Sequence, residues 1–401
     1  MKFIRKVFVL FLSLTLALLA AEFLLRAFAP TKTLNRFLVR STPDPVRKYK
    51  LAPNQQTAMG SDEFNVAIHI NSQGIRDKEY STPKPSRTYR ICVLGDSMTF
   101  GHGLEIEDVY AERLEYLLNQ NPPPAAGYLR YEVINTGVGG YYFWHYLRSF
   151  EVYDPIYHCD LAIVGFYAGN DFNLFDPDGK MEVYDGQLWR YVTTKQSRRE
   201  ISQPMGARIR VMLRPVRFFL SKNSQLYLYT REPFYQLLYK MMGYVPPRYR
   251  LDMNLYKNDL PPDQQEEHDT INGLMGELSR LVKASNAKLL VLIIPDRIQV
   301  YDDLWRSSLH ESRTNEQEVD RRNPNRRLIR ILDKYGIPHV DLLDEMQKDP
   351  DVQYYFIYDG HWNAEGSRLA GNRLYTFLSK PSNSFLLTRN NEPVVKGSSP
   401  R

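Results

Sequence analysis

Two short runs hold the residues with the most chemistry to offer. Asp359-Gly360-His361 sets a carboxylate two positions from an imidazole, and Arg90 to Gly101, RICVLGDSMTFG, supplies a serine hydroxyl. A serine, a histidine and an acid make a nucleophile, a general base and an orienter, the set that moves acyl groups through an acyl-serine. Two further runs bring small residues together with an amide or a carboxylate: Asn135-Thr136-Gly137-Val138-Gly139-Gly140 and Ala168-Gly169-Asn170-Asp171. Glycine lets a backbone N–H approach a ligand closely, and an Asn side chain adds a fixed donor, which suits a developing oxyanion.

These residues need strands and helices to hold them. Ile91 to Leu94 is apolar throughout, which predicts a strand buried on both faces and broken by Gly95 just before Asp96-Ser97. Val109, Leu114, Leu117 and Leu118 predict a helix over Asp108 to Asn119. Ser97 then lies on a strand-to-helix turn, where open α/β sheets bind ligands. Tyr131 to Ile134 and Leu161 to Tyr167 are predicted strands that run into the two donor segments, and an aromatic helix starts near Tyr141. The core resumes with a helix from about Asp263 to Ala284, a strand over Lys288 to Pro295 and a helix over about Asn325 to Lys334. A strand over Pro338 to Leu342 and a last helix, Ala364 to Ser379, capped near Asn363, complete it. Buried strands alternating with helices imply an α/β fold with three layers, a mostly parallel sheet of about five strands covered on both sides.

With its blocks in this order, the chain resembles the SGNH hydrolases, the GDSL-type esterases and lipases, in a bacterial membrane-anchored form. GDSMTFG resembles the nucleophile block, which implies Ser97 as nucleophile with its own N–H in the oxyanion hole. NTGVGG matches the second block and implies the Gly140 N–H as a second donor; GND matches the third and implies Asn170 as another. DGHWN resembles the last block and implies His361 as base and Asp359 as its orienter. The commonest form of that block is Asp-x-x-His-Pro. This one is a residue shorter, a variant also found in SGNH-like proteins that include some polysaccharide acetyltransferases. The resemblance spans residues 90 to 375 and implies a flavodoxin-like SGNH fold that needs no cofactor. There is no CxxC and no Cys/His cluster, so no metal is implied either. His102, five residues after Ser97, is placed to line the mouth. His69, His145, His158, His268, His310 and His339 read as structural or solvated.

The amino terminus sets location. Lys2, Arg5 and Lys6 precede an apolar run from Val7 to Ala21, and Pro30 follows a small-x-small site at Ala27-Phe28-Ala29 and disfavours a cut there. Residues 1–26 are therefore expected to be a membrane anchor, with the rest exported to the periplasm or cell surface. Residues 27–89 are expected to be an extended and β segment, with a strand over Asn65 to Ile70, that packs on the core without taking part in chemistry. Residues 90–379 form the hydrolase domain, and the tail 380–401 is expected to be disordered.

An insertion at about 172–262 starts with an expected hairpin over Lys180 to Thr194. From Arg190 to Arg250 it carries thirteen Lys or Arg against two Glu, interleaved with aromatics, so it is placed to cover or line the site and to meet anionic lipid or sugar. Cys92 and Cys159 are expected to be unpaired buried residues, because their offsets from the strand ends differ. A net charge of +6 reads as a solvated surface, and nucleic acid is not expected as a partner of an exported chain.

Three readings fit these residues. The first is an esterase acting on an acyl, for example acetyl, ester of a cell-envelope glycan or a lipid-like molecule. The second is an O-acyltransferase to an exported polysaccharide. The third is a non-catalytic envelope-assembly protein that keeps the pocket for binding. Oligomeric state is not legible.

Overall fold

The computed structural model describes residues 2–28, 39–61, 63–123, 128–184, 187–192, 216, 219–220, 223–227, 229–230, 253–349 and 351–388. Helix α1 (Lys2–Phe28) is followed by two small antiparallel pairs, β1 (Ser41–Asp44) with β2 (Lys48–Leu51) and β3 (Gln55–Gly60) with β4 (Asn65–Ile70). Next come β5 (Thr88–Gly95), α2 (Ser97–Phe100), α3 (Tyr110–Gln120), β6 (Arg130–Asn135), α4 (Phe143–Tyr157) and β7 (Leu161–Tyr167). A hairpin of β8 (Lys180–Tyr184) and β9 (Gln187–Val192) opens the insertion. The chain closes with α5 (Pro262–Ala284), β10 (Lys288–Ile294), α6 (Asp302–Ser312), α7 (Asn323–Lys334), β11 (His339–Asp341) and α8 (Ala364–Leu378).

The central sheet is parallel with order β11-β10-β7-β5-β6. Every residue of β5 is buried. Cys92 and Leu94 enter one core, with Ile134, Val164 and the aromatic face of α4, while Ile91 and Val93 enter the other, with Leu114, Ile163 and Leu374. That two-sided burial is why the strand reads as an unbroken apolar run. From β5 the chain crosses to β6 on one side and then returns past β5 to β7 on the other. The carboxyl ends of these three strands therefore flank one switch point, the place where such sheets form ligand crevices.

Within this core Arg90 is fully buried and donates from Nε to Glu132 at 2.7 Å, and also to the carbonyls of Tyr157 (3.0 Å) and Ser81 (2.6 Å). Removing one partner of a buried ion pair strands the other charge, which costs about 3–5 kcal/mol. Glu132→Ala is expected to lower the unfolding free energy by about that much, read from urea unfolding of the full chain in detergent micelles. A loss below about 1 kcal/mol would show that Arg90 is satisfied by its two carbonyl partners alone.

Two expectations are corrected here. Cys92 and Cys159 form a disulfide with a Cα–Cα distance of 5.8 Å. Cys159 precedes β7 rather than lying in it, and His158 turns the chain with φ 53°, so offset along the strands does not decide the approach. Cys92 stands opposite Ala162, only three residues beyond Cys159. The tail also begins later than expected: Pro381–Leu387 is a 3-10 segment whose Leu386 and Leu387 are buried, with Tyr89 Oη donating to the Leu386 carbonyl. Periodicity cannot reveal a segment that docks by two leucines. Residues 389–401 lie outside the described residues, as do most of those from 193 to 252 that were expected to cover the site.

Helix α1 is long and apolar enough to cross a membrane by length and composition, with a mean hydropathy of 2.4 in an 18-residue window of Arg5–Phe28 and none of that window buried. Glu22 interrupts its apolar surface with a partner in hand. Its carboxylate accepts from Ser224 Oγ (2.9 Å) and from the N–H groups of Gln225 (3.0 Å) and Leu226 (2.9 Å) in the insertion.

Candidate active site

Gly95 ends β5 where Thr99 folds back over it; a Cβ there would fall 1.9 Å from Thr99 Oγ1. Asp96 follows as the cap of α2, accepting the Met98 N–H at 2.8 Å. Ser97 is thereby set on the first turn of α2, half-buried at the carboxyl end of the strand. Arg76, in the segment before β5, holds the far side of this turn. Its buried guanidinium donates to the carbonyls of Phe100 (3.1 Å), Gly101 (2.6 Å), Leu104 (2.6 Å) and Ala67 (3.3 Å). Burial pulls its pKa down to about 10, so it stays charged at neutral pH.

The imidazole beside Ser97 arrives from the other end of the chain. His361 Nε2 lies 2.7 Å from Ser97 Oγ, and His361 Nδ1 lies 2.5 Å from Asp359 Oδ1. The short block works because Asp359-Gly360-His361 rides a tight loop: the Phe356 N–H donates to the His361 carbonyl at 2.8 Å, and Tyr355 bridges Trp362. Trp362 stands where the commoner block has proline. It is fully buried, and its indole N–H donates to the Met98 carbonyl at 3.1 Å, which ties the base loop to the serine turn.

The acid loop has a second grip that the sequence did not signal. The Glu63 carboxylate accepts three successive backbone N–H groups, from Ile357 (2.6 Å), Tyr358 (3.0 Å) and Asp359 (2.8 Å). The segment expected only to pack therefore bonds directly to the loop that carries Asp359. An acidic residue just before a predicted strand is too common to have marked it. Burial alone would raise the Asp359 pKa, yet hydrogen bonds from His102 and then His361 outweigh it and hold the carboxyl well below the usual range.

The segments that carry Gly140 and Asn170 lie beside the serine turn. Gly139 faces it, since a Cβ there would stand 4.0 Å from Ser97 Cβ. Gly140 has φ 80°, a backbone state that favours glycine, and packs on the Tyr49 hydroxyl. Asn170 Nδ2 donates to Asp96 Oδ2 at 3.1 Å, committing one of its two amide hydrogens. Asp96 is buried, which raises its pKa. Asn170→Ala is expected to slow ester turnover about 10²- to 10³-fold, measured as kcat with p-nitrophenyl acetate. A loss under about threefold would remove Asn170 from the oxyanion site.

Of the other histidines, His145 is buried against Tyr141, with ring centroids 4.4 Å apart, and burial pushes its pKa down to about 3, which keeps it neutral. His69, His158 and His310 are exposed and His268 and His339 half-buried. His102 reaches the site and stacks on His361. His102, Asp359 and His361 bring three potential ligand atoms within 4.8 Å of one another. The two rings lie 23° from parallel at 4.1 Å, so their lone pairs run side by side rather than converging on one ion, and the cluster fits a shared carboxylate better than a metal.

The parallel five-stranded sheet with its flanking helices fits the SGNH α/β fold. Residues 255–394 match the family model described as SGNH hydrolase-like domain, acetyltransferase AlgX, a span that includes Asp359, His361 and Trp362. No curated protein matches the chain. Solved structures similar to it include the acetyl xylan esterase AlAXEase, at 13% identity and TM-score 0.36 over 72% of this chain and 98% of that one. Another is TesA, at 10% identity and TM-score 0.36 over 72% and 97%. A third is the psychrotrophic esterase EstA from Pseudoalteromonas sp., at 10% identity and TM-score 0.33 over 72% and 94%.

Proposed function

We propose that the protein is a membrane-anchored serine esterase facing the periplasm or cell exterior, which cleaves an acyl ester, such as an acetyl ester, of a cell-envelope glycan or lipid-like molecule. The observation that carries this reading is the hydrogen-bonded line from Asp359 through His361 to Ser97. His361 takes the hydroxyl proton as Ser97 Oγ attacks the ester carbonyl, and the N–H groups of Ser97 and Gly140 with the Asn170 amide hold the oxyanion. His361 then gives its proton to the departing alkoxide, and water, activated in turn by His361, releases the acid. The apolar surface of α1 supports the anchor, and the Glu22 bonds to residues 224–226 favour a helix retained in the mature protein.

A second reading, acyl transfer to a polysaccharide hydroxyl, is favoured by the match of residues 255–394 to an acetyltransferase family model. The two differ only in what resolves the acyl-serine. Full-length protein in detergent micelles, given p-nitrophenyl acetate with and without a glycan acceptor, separates them: free acetate in both arms supports the esterase, and acetylated glycan formed only by active protein supports the transferase. A binding protein that has lost catalysis leaves a fluorophosphonate probe unreacted under conditions that label a known serine esterase.

A further inference from the structure

We propose that His102 is a positioning residue for the reaction: its imidazole shares the Asp359 carboxylate with His361 and fixes both members of the pair. This rests on the reading of Ser97, His361 and Asp359 as the reacting set. His102 is joined to the nucleophile turn through its backbone, its N–H donating to the Ser97 carbonyl at 3.0 Å. Its side chain reaches the acid, with Nε2 3.5 Å from Asp359 Oδ2, the oxygen that His361 does not use. Its ring covers one face of His361, centroids 4.1 Å apart, and Phe64 stands edge-on to His102 at 5.5 Å and 84°. A carboxylate held at one oxygen only can rotate about its last bond. Held at both, it keeps Oδ1 on Nδ1 of His361 while that ring gains a proton and a positive charge. The neighbouring ring also keeps water from that face of the imidazolium. One residue thus links the nucleophile, the acid and the base, three groups that the sequence scatters across two distant loops.

The test uses the full chain in detergent micelles, with kcat and KM for p-nitrophenyl acetate and the rate of fluorophosphonate labelling as readouts. His102→Phe keeps a ring against His361 and removes the donor; His102→Gln returns an N–H near the position of Nε2. A hydrogen bond to a charged group corresponds to about a tenfold change in rate. His102→Phe is expected to lower kcat about tenfold with KM within about twofold, and His102→Gln to recover most of the loss. Equal losses in both variants, or no loss in His102→Phe, overturn the proposal. NMR of protein labelled with 15N-histidine reads the same bond without turnover. The Nδ1 proton of His361 should broaden through exchange in His102→Phe and sharpen again in His102→Gln; an unchanged signal in both overturns the role of His102 even if no ester is cleaved. Folded wild type that neither turns over the ester nor takes the probe instead counts against the serine-esterase reading itself.

Discussion

Ser97→Ala is expected to abolish fluorophosphonate labelling and to lower ester turnover about 10⁶-fold, with stability changed by no more than about 0.5 kcal/mol. The size of the catalytic effect follows from what the hydroxyl does in the proposed mechanism. It is the atom that bonds to the acyl carbon, and alanine leaves the oxyanion donors and the base with nothing to activate. The small structural effect follows from where the side chain sits. Ser97 is half-buried at a crevice, its hydroxyl bonds to the His361 ring, and the turn that carries it is held by other groups: the Asp96 cap, the Arg76 guanidinium and the Trp362 indole. Labelling rates, steady-state turnover and urea unfolding of wild type and variant separate the two effects. Residual labelling of the alanine variant at the wild-type rate would move the nucleophile to another residue. A large loss of stability would mean that the Ser97–His361 bond holds the two loops together as well as serving the reaction.

How much of this was legible depended on whether a residue acts through its own strand or through a distant one. Ser97 and the apolar run before it sit in one continuous piece of chain, where burial on both faces leaves a plain signature. The same holds for the glycines after β6 and the Asn170 turn after β7. Cross-chain ties leave no such mark. Glu63 bonds to residues 357–359, Arg76 to the carbonyls of residues 100, 101 and 104, and Cys92 to Cys159, and in each case the partner is chosen by the fold rather than by spacing. Leu386 and Leu387 failed for a related reason, since two apolar residues carry no period. Trp362 was visible as a departure from the commoner block. Its reason, an indole N–H placed on the serine turn, appears only once both loops are in space.

The N-terminal segment shows what those cross-chain ties accomplish together. Tyr49 of β2 packs below Gly140 and accepts the Tyr141 hydroxyl on its carbonyl at 2.6 Å, while Glu63 and Phe64 hold the opposite rim through the acid loop and His102. The segment thus touches both the Gly140 side and the Asp359 side of the crevice. Two loops that converge from distant strands lose conformational freedom when they meet, and these fixed contacts meet part of that cost at folding rather than during turnover.

Asp359→Asn tests the acid half of the site. The neutral amide keeps the shape of the carboxylate but removes its charge, and it can present a hydrogen where His361 needs an acceptor. In the serine-protease template the same exchange costs about 10⁴ in kcat through the wrong tautomer, and a loss of that order is expected here. Its pH dependence has a definite sign. The folded-state pKa of Asp359 is depressed, because hydrogen bonds from His102 and His361 outweigh burial. A depressed carboxyl contributes stability that is complete above its unfolded pKa, about 3.9, and is lost only as the pH falls towards the lower folded value. The stability difference between wild type and Asp359→Asn should therefore not shrink on going from about pH 7 to about pH 4, and should decline only below that. Urea unfolding of both proteins across that range reads it directly. A difference that stays flat as the pH falls from about 4 to about 2 would mean that Asp359 titrates at its ordinary value, which requires the imidazole contacts on its two oxygens to be absent in solution.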